Sequence, residues 1–470
     1  MKLELERSGF LKVWQVAEKY TPSKTTMEAL NGIRITAGSS GTVTLEATDL
    51  KSSVKCPAKG AEVIEPGVAV LNSAIFGNML KKASAKTITL EVSGSRGTLT
   101  AGGSKSRFAV IAPETFPNIQ ASSGAEEICT IQASDLGKLI NEGSCAASAP
   151  SDFPKYMGTC LLRTAEKLLL AVATDGRRLS CSRKPAESVS KETDLLLPAA
   201  SLKDLAKVFT GDETVRILFD GSMVWFILEK PEQNIETSSE DVNTESVEEE
   251  TSNEDENIQP AEDAEAPVED AKPAPAPKES YLDGAEFSLR SIEATFPRYE
   301  RILNEEVKTS MTIGRTYLLS ALDRIAVIAK NNPSQIMAME LKPEFDLRIT
   351  ARAPGLGTAS ETLMPEEVDG ERMQIGYNIN FLNDGLKAAG SPDVYLEFSD
   401  VEGQTRIFRS KDDKDFMYML MPLRLSPQDL VDEDDNSDFD TPEDDNAEPQ
   451  QKDSGNEAPQ ESSDNSDAPF

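Results

Sequence analysis

Histidine is absent from all 470 residues. That removes the commonest general base, the Ser-His-Asp triad and every histidine-based metal site. Catalysis by paired carboxylates or lysine stays open, but the enzyme class is disfavoured, and no metal or cofactor is expected. Cysteine is sparse: Cys56, Cys129, Cys145, Cys160 and Cys181 are odd in number and show no CxxC spacing. This fits small buried thiols in a reducing cytosol better than a disulfide framework or a zinc site. No run of 18 apolar residues occurs, so no membrane-spanning helix is expected. The opening MKLELERSGF alternates charged and apolar residues and lacks the apolar core of a signal peptide.

The net charge of −33 is distributed unevenly. Residues 231–279 hold 17 acids and 2 bases, and residues 426–470 hold 16 acids and one lysine. Both segments are rich in Pro, Ser, Asn and Glu and poor in β-branched and aromatic residues. They cannot bury enough apolar surface to offset ordering entropy, so disorder is expected. The other 376 residues carry 48 acids and 45 bases, a near-neutral set that leaves nucleic-acid binding open.

That near-neutral set repeats itself three times. Each copy opens with a strand and an amphipathic helix: LELERSGFLKVWQVAEKY (3–20), TIQASDLGKLINEGSCAAS (130–148) and MTIGRTYLLSALDRIAVIAK (311–330). In the third, Leu318, Leu322, Ile325 and Ala329 recur at the spacing of one buried helix face. Mid-copy strands, a second helix and a hairpin follow, and each copy ends in an apolar-Pro pair: Phe116-Pro117, Phe296-Pro297 and Met421-Pro422. The acidic stretch 231–279 falls where the second copy needs a hairpin turn, between VWFILEK and EFSLRSIE. Such an insertion costs little, because closure entropy grows slowly with loop length.

The expected fold class is therefore α+β: three units, each of two helices packed on antiparallel sheets. Boundaries are placed at 1–122, 123–303 (with the disordered insertion) and 304–425, followed by a disordered tail over 426–470. The six expected helical segments carry 13 bases and 7 acids, including Lys81, Lys82, Lys203, Lys207 and Arg324. Solvated helix faces would account for these charges, as would a surface that meets phosphates without reading bases.

One stretch concentrates cations: VATDGRRLS (172–180). Asp175-Gly176 signals a tight turn. A plain hairpin turn with solvated arginines and a docking loop both fit, whereas a catalytic role would need a base or second carboxylate that is not apparent nearby.

VATDGRRL, FPRYERIL (296–303), the threefold repeat and the ending FMYMLMPLRL (416–425) occur in order. Together they resemble the bacterial DNA polymerase III beta subunit, the sliding clamp, over residues 1–425 apart from the insertion. The resemblance implies a head-to-tail homodimer ring of six similar domains around double-stranded DNA, held without sequence preference. It implies no catalytic chemistry, no cofactor, no membrane, and a bacterial, cytoplasmic, nucleoid-associated protein. Implied partners are the replicative polymerase alpha subunit, the ATP-dependent clamp loader, other replication and repair polymerases, ligase and mismatch-repair proteins.

Carried over residue by residue, a partner-peptide groove would comprise Thr174, Gly176, Arg177, Arg178, Leu179, Pro297, Ile302, Met419, Met421, Pro422, Leu423 and Arg424, with Asn378 and Phe381 at its far end. Phe108 and Val110 would meet Val327 and Ile328 of a second copy. Lys24 matches a family DNA contact; Lys105 and Arg107 stand beside the first unit's helices; Lys81, Lys82, Lys203, Lys207 and Arg324 complete the expected DNA set. Two departures stand out. Arg177 replaces the family's usual histidine, and FPKYMG (153–158) replaces an Arg-Pro-aliphatic-Leu pattern, placing Tyr156 at the leucine and Phe153 at the arginine. A non-encircling scaffold of the same fold, and an acidic enzyme or phosphate-mimicking inhibitor, are the alternatives.

Overall fold

The structure is a computed structural model and describes residues 1–22, 24–149, 153–230, 281–303, 306–342 and 346–430. The acidic stretch 231–279, and the tail from residue 431 on, lie outside the described residues.

The first unit runs β1 (Lys2–Glu6), α1 (Arg7–Glu18), β2 (Gly32–Ala37), β3 (Val43–Thr48), β4 (Ser52–Pro57), β5 (Ala61–Glu65), β6 (Gly67–Asn72), α2 (Ser73–Lys82), β7 (Thr87–Ser93), β8 (Arg96–Ala101) and β9 (Ser104–Ala109). The second repeats this order: β10 (Glu126–Gln132), α3 (Ala133–Gly143), β11 (Thr159–Ala165), β12 (Leu168–Thr174), β13 (Arg178–Pro185), β14 (Ser188–Val189), β15 (Thr193–Pro198), α4 (Ala199–Ala206), β16 (Thr214–Phe219), β17 (Met223–Glu229) and β18 (Glu286–Arg290). The third follows with β19 (Thr309–Gly314), α5 (Arg315–Ala329), β20 (Ile336–Leu341), β21 (Leu347–Ala353), β22 (Gly357–Leu363), β23 (Glu367–Gly370), β24 (Met373–Asn378), α6 (Ile379–Ala389), β25 (Asp393–Phe398), β26 (Thr405–Phe408) and β27 (Phe416–Leu420).

All six expected helices form. Side-chain caps fix three of the starts. The Glu6 carboxylate accepts from the backbone N–H of Ser8 (3.0 Å) and Gly9 (2.6 Å), the Asn72 amide oxygen accepts from the Ile75 N–H (3.0 Å) at α2, and the Asn378 amide oxygen accepts from Asn380 and Phe381. On α5, Leu318, Leu322, Ile325 and Ala329 are all fully buried, as their spacing predicts. The two helices of a unit pack as a pair on its strands. In the first unit, Trp14 Nε1 donates to the Ser73 carbonyl (3.1 Å) across this pair, and its ring lies against Gly77, where a Cβ would stand 2.9 Å from Nε1.

The sheets disregard the unit boundaries. One nine-stranded sheet joins five strands of the second unit (β14-β10-β16-β17-β18) to four of the first (β4-β3-β2-β6) through an antiparallel β18–β4 pair. Another joins four strands of the second unit (β15-β11-β12-β13) to five of the third (β27-β26-β25-β19-β23) through β13–β27. At the first joint Ser53 and Ser288 share a buried 2.6 Å hydroxyl–hydroxyl bond. The five-stranded sheet β5-β1-β7-β8-β9 and the four-stranded sheet β22-β21-β20-β24 end at β9 and β22, each paired on one side only among the described residues.

β17 and β18, which flank the acidic stretch, pair directly from Met223↔Arg290 to Ile227↔Glu286. Just after it, Tyr281 lies on α1, with the Lys12 ammonium 4.3 Å from its ring centre. The tail, assigned from residue 426 on composition, starts later than that. Residues 426–430 carry a 3-10 turn (Pro427–Asp429) packed on β20 and β21 and closed by bonds from the Ser426 backbone (2.9 Å) and hydroxyl (2.6 Å) to the Asp429 carboxylate. A local capping box outweighs the acidic composition there.

Candidate functional site

The turn between β12 and β13 holds the two adjacent arginines and sends them to different work. Thr174 donates its hydroxyl to the Arg178 carbonyl (2.7 Å) and accepts from the Gly176 N–H (3.1 Å). The Asp175 carboxylate accepts from the N–H groups of Arg177 (2.9 Å) and Arg178 (3.1 Å). Gly176 sits at φ +82°, where a side chain would be strained. This Asx-type turn fixes the directions of both arginines.

Arg178 turns into the joint between the second and third units. Its Nε pairs with Asp175 (2.9 Å), its Nη1 with Asp384 (2.7 Å) on α6 and with the Tyr418 hydroxyl (3.3 Å) on β27. The guanidinium also stands 4.3 Å from the Phe381 ring centre. With partners on β12–β13, α6 and β27, Arg178 fastens two units together. Arg177 points outward, is exposed, and makes no ion pair among the described residues. Its carbonyl accepts from the Met421 N–H (2.9 Å), which ties the turn to the end of β27.

Beside this clasp lies a groove of about 530 Å³ lined by Arg177, Pro333, Ser334, Asn378, Phe381, Met421, Pro422 and Leu423. The Leu423 N–H bonds the Gly376 carbonyl (2.8 Å) and holds the C-terminal segment along its wall. Met421 is 44% exposed, an unusual state for methionine and a flexible apolar surface for a ligand. Six of the sequence-expected groove residues are thus brought together.

The others fall into two groups. Thr174, Leu179 and Met419 are buried; Leu179 and Met419 pair across β13–β27 within an apolar cluster that includes Tyr299. They do not line the groove; β27 lies between β13 and β26 and not at a sheet edge, so its side chains are covered. Gly176, Pro297, Ile302 and Arg424 are exposed; Arg424 pairs with Glu402 at 3.3 Å. Tyr156 packs edge-on against Phe296 (6.0 Å) in the same cluster, while Phe153 stands 87% exposed. Pro333 and Ser334, which follow α5, were not anticipated. Their signal was the Asn332-Pro333 dipeptide, which ends a helix and places its residues at the surface.

The expected DNA contacts are also distributed. Lys24 and Lys82 are exposed. Lys81 pairs with Glu18 (3.2 Å), Lys207 with Asp204 (2.7 Å) and Arg324 with Glu361 (2.6 Å). Such exposed pairs hold weakly and can be exchanged for phosphate. Lys203 is half-buried. Lys105 and Arg107 lie on β9, where alternation puts them on the face opposite Phe108. Phe108 packs toward α2, 5.6 Å from the Phe76 ring centre, so Lys105 and Arg107 project from the face away from the helices. Position beside helices in sequence did not distinguish the two faces of the sheet.

Val327 on α5 is 69% exposed, and Ile328 beside it packs partly against the third unit's core. Phe108 and Val110 pack partly against the first unit's core. Among the described residues no three metal-binding side chains converge. The five thiols are free; burial pushes Cys145 and Cys181 up to about 11, and Cys129 and Cys160 up to about 12. They are poor nucleophiles at neutral pH.

Family profiles of the DNA polymerase III beta subunit match all three units: the N-terminal domain at residues 1–120, the central domain at 130–246 and the C-terminal domain at 300–424. A beta sliding clamp of Streptococcus pneumoniae is 23% identical over 428 residues, covering 89% of this chain and 98% of the relative. Among solved structures, the DNA polymerase III beta chain of Streptococcus pneumoniae superposes with a TM-score of 0.73 at 21% identity, covering 90% of this chain and all of that one. The beta subunit of Thermotoga maritima gives 0.72 at 22% identity, again over 90% of this chain and all of its own. With every unit matched in order, the chain belongs to the DNA polymerase III beta subunit family, the non-catalytic sliding clamps.

Proposed function

We propose that two copies of this chain close head to tail around duplex DNA and tether the replicative polymerase through the groove at Arg177, Phe381 and Met421. The observation that carries this reading is the division of strands. Each internal joint completes a nine-stranded sheet from five strands of one unit and four of the next. The two sheets left over have five and four strands, and end at β9 and β22. β9 is the last strand of its unit, as β18 and β27 are of theirs; β22 matches β4 and β13 in chain order. A β9–β22 pair between two copies would complete the same sheet.

Side chains support this pairing. At the internal joints the last strand places an aromatic ring near the end of the neighbouring unit's first helix: Phe287 lies 6.0 Å from Tyr20, and Tyr418 shares a core with Ala146. Phe108 is the corresponding aromatic on β9, and Val327 and Ile328 occupy the end of α5. A head-to-tail contact used twice closes the ring with two copies.

The twelve helices of such a ring would face the DNA. Lys24, Lys81, Lys82, Lys203, Lys207 and Arg324 would meet phosphates singly and weakly, which permits sliding, while enclosure supplies the residence time. The groove would serve in turn the polymerase alpha subunit, the ATP-dependent loader, and repair polymerases, ligase and mismatch-repair proteins, each presenting a short apolar peptide. The test is retention on nicked circular DNA at high salt, with loss on linear DNA, together with loss of the cognate polymerase by Met421→Ala. Equal retention on both DNA forms would support a non-encircling scaffold.

A further inference from the structure

The groove has one charged lining residue, Arg177, and no lining carboxylate. The nearest acid in sequence, Asp175, is engaged by Arg178 and the turn backbone. An apolar floor with one guanidinium at its rim that makes no ion pair among the described residues fits an apolar side chain flanked by carboxylates.

The chain carries such a segment itself. Residues 426–470 hold 16 acids, one lysine and two aromatic residues, Phe439 and Phe470. Phe439 stands between Asp438 and Asp440. We propose that this clamp's own acidic tail docks in the groove, with Phe439 on the Met421–Phe381 floor and a neighbouring aspartate on Arg177, so that partner peptides must displace it. The proposal rests on the reading of the groove as a peptide site.

Chain geometry permits this docking. Leu423 lines the groove, and the described chain ends seven residues later at Leu430. Seven residues span at most about 25 Å, so Leu430 is no farther than that from Leu423. Phe439 lies nine residues beyond Leu430, a reach of about 31 Å. The segment can therefore return to the groove from whichever direction the 3-10 turn releases it. A short tether of this kind gives an effective concentration in the millimolar range. A segment that binds with a dissociation constant of about 100 μM would then occupy the groove about nine-tenths of the time. Because the pairing is ionic at an exposed rim, salt weakens it.

The test uses the full-length protein and a fluorescein-labelled peptide of sequence DDNSDFDTPED, a copy of residues 434–444. Anisotropy titration at low salt should show the peptide binding Phe439→Ala about tenfold more tightly than wild type, because the tethered competitor is gone. Adding Met421→Ala or Arg177→Ala to Phe439→Ala should weaken that binding at least tenfold. Equal affinity for wild type and Phe439→Ala overturns the proposal, as does release by Phe470→Ala with none by Phe439→Ala. If that happens while Met421→Ala still loses the cognate polymerase, the peptide-site reading stands without the tail. If Met421→Ala changes neither polymerase nor labelled-peptide binding, the groove reading falls as well.

Discussion

Replacing the two adjacent arginines one at a time should give opposite phenotypes. Arg178 is 9% exposed in its side chain, pairs with an Asp175 carboxylate that is 10% exposed, and with an Asp384 carboxylate that is 48% exposed. Arg178→Met keeps the apolar stem and removes the charge. Breaking a buried ion pair from one side costs about 3–5 kcal/mol. Asp175 keeps its two backbone donors, and the exposed Asp384 pair adds only about 0–1 kcal/mol, so the lower end applies: about 3 kcal/mol. At roughly 2–4 °C per kcal/mol for a domain of this size, the transition involving the second and third units should fall by about 6–12 °C. Arg177→Ala, by contrast, removes an exposed side chain with no ion pair among the described residues and should change stability by less than about 0.5 kcal/mol. It should nonetheless alter affinity for groove-binding peptides. Differential scanning calorimetry and peptide titration on the same preparations measure both effects. An Arg177→Ala protein that melts as early as Arg178→Met, or an Arg178→Met protein that melts like wild type, would refute the division of labour.

Ile328→Asp should convert the dimer to monomer in sedimentation, because it places an unpaired carboxylate at the proposed β9–β22 joint; an unchanged dimer would remove Ile328 from the interface. Removing Lys24, Lys81 and Lys82 together should weaken DNA retention equally for all sequences and flatten its salt dependence, as measured by retention on circular DNA at several salt concentrations. Thiol reactivity gives a pH test. Burial raises Cys145, Cys181, Cys129 and Cys160 in the folded protein above the usual thiol value. Stability is therefore full below about pH 8.5, where both states are protonated, and declines above it as unfolded thiols ionise first. Thiol-reagent labelling at pH 8 should stay slow at the buried Cys129 and Cys160 in native protein and become fast in urea; rapid native labelling of these two would contradict their burial.

The elements were legible in the sequence because amphipathic spacing and turn residues act locally. The α5 face of Leu318, Leu322, Ile325 and Ala329 is an example. Joining strands across units was not legible, since β18–β4 and β13–β27 pairing leaves no local mark on either strand. The same limit applied to the site. The turn at Asp175-Gly176 could be read directly, but the opposite orientations of Arg177 and Arg178 depend on Asp384, Tyr418 and Phe381, more than 200 residues away in the chain. Lys105 and Arg107 were assigned to DNA because sequence gives their neighbours but not which side of β9 is covered.

The shared architecture of the sheet joints has a mechanical consequence. In a ring of two copies, four of the six joints lie within a continuous polypeptide and two do not. A force that strains all six alike would open the proposed ring at a β9–β22 joint, where no backbone links the two units, and a ring opened at one such joint remains one piece. Opening of the proposed ring then depends on the strength of its β9–β22 contact, and substitutions at Phe108 or Ile328 should set how long that contact stays shut.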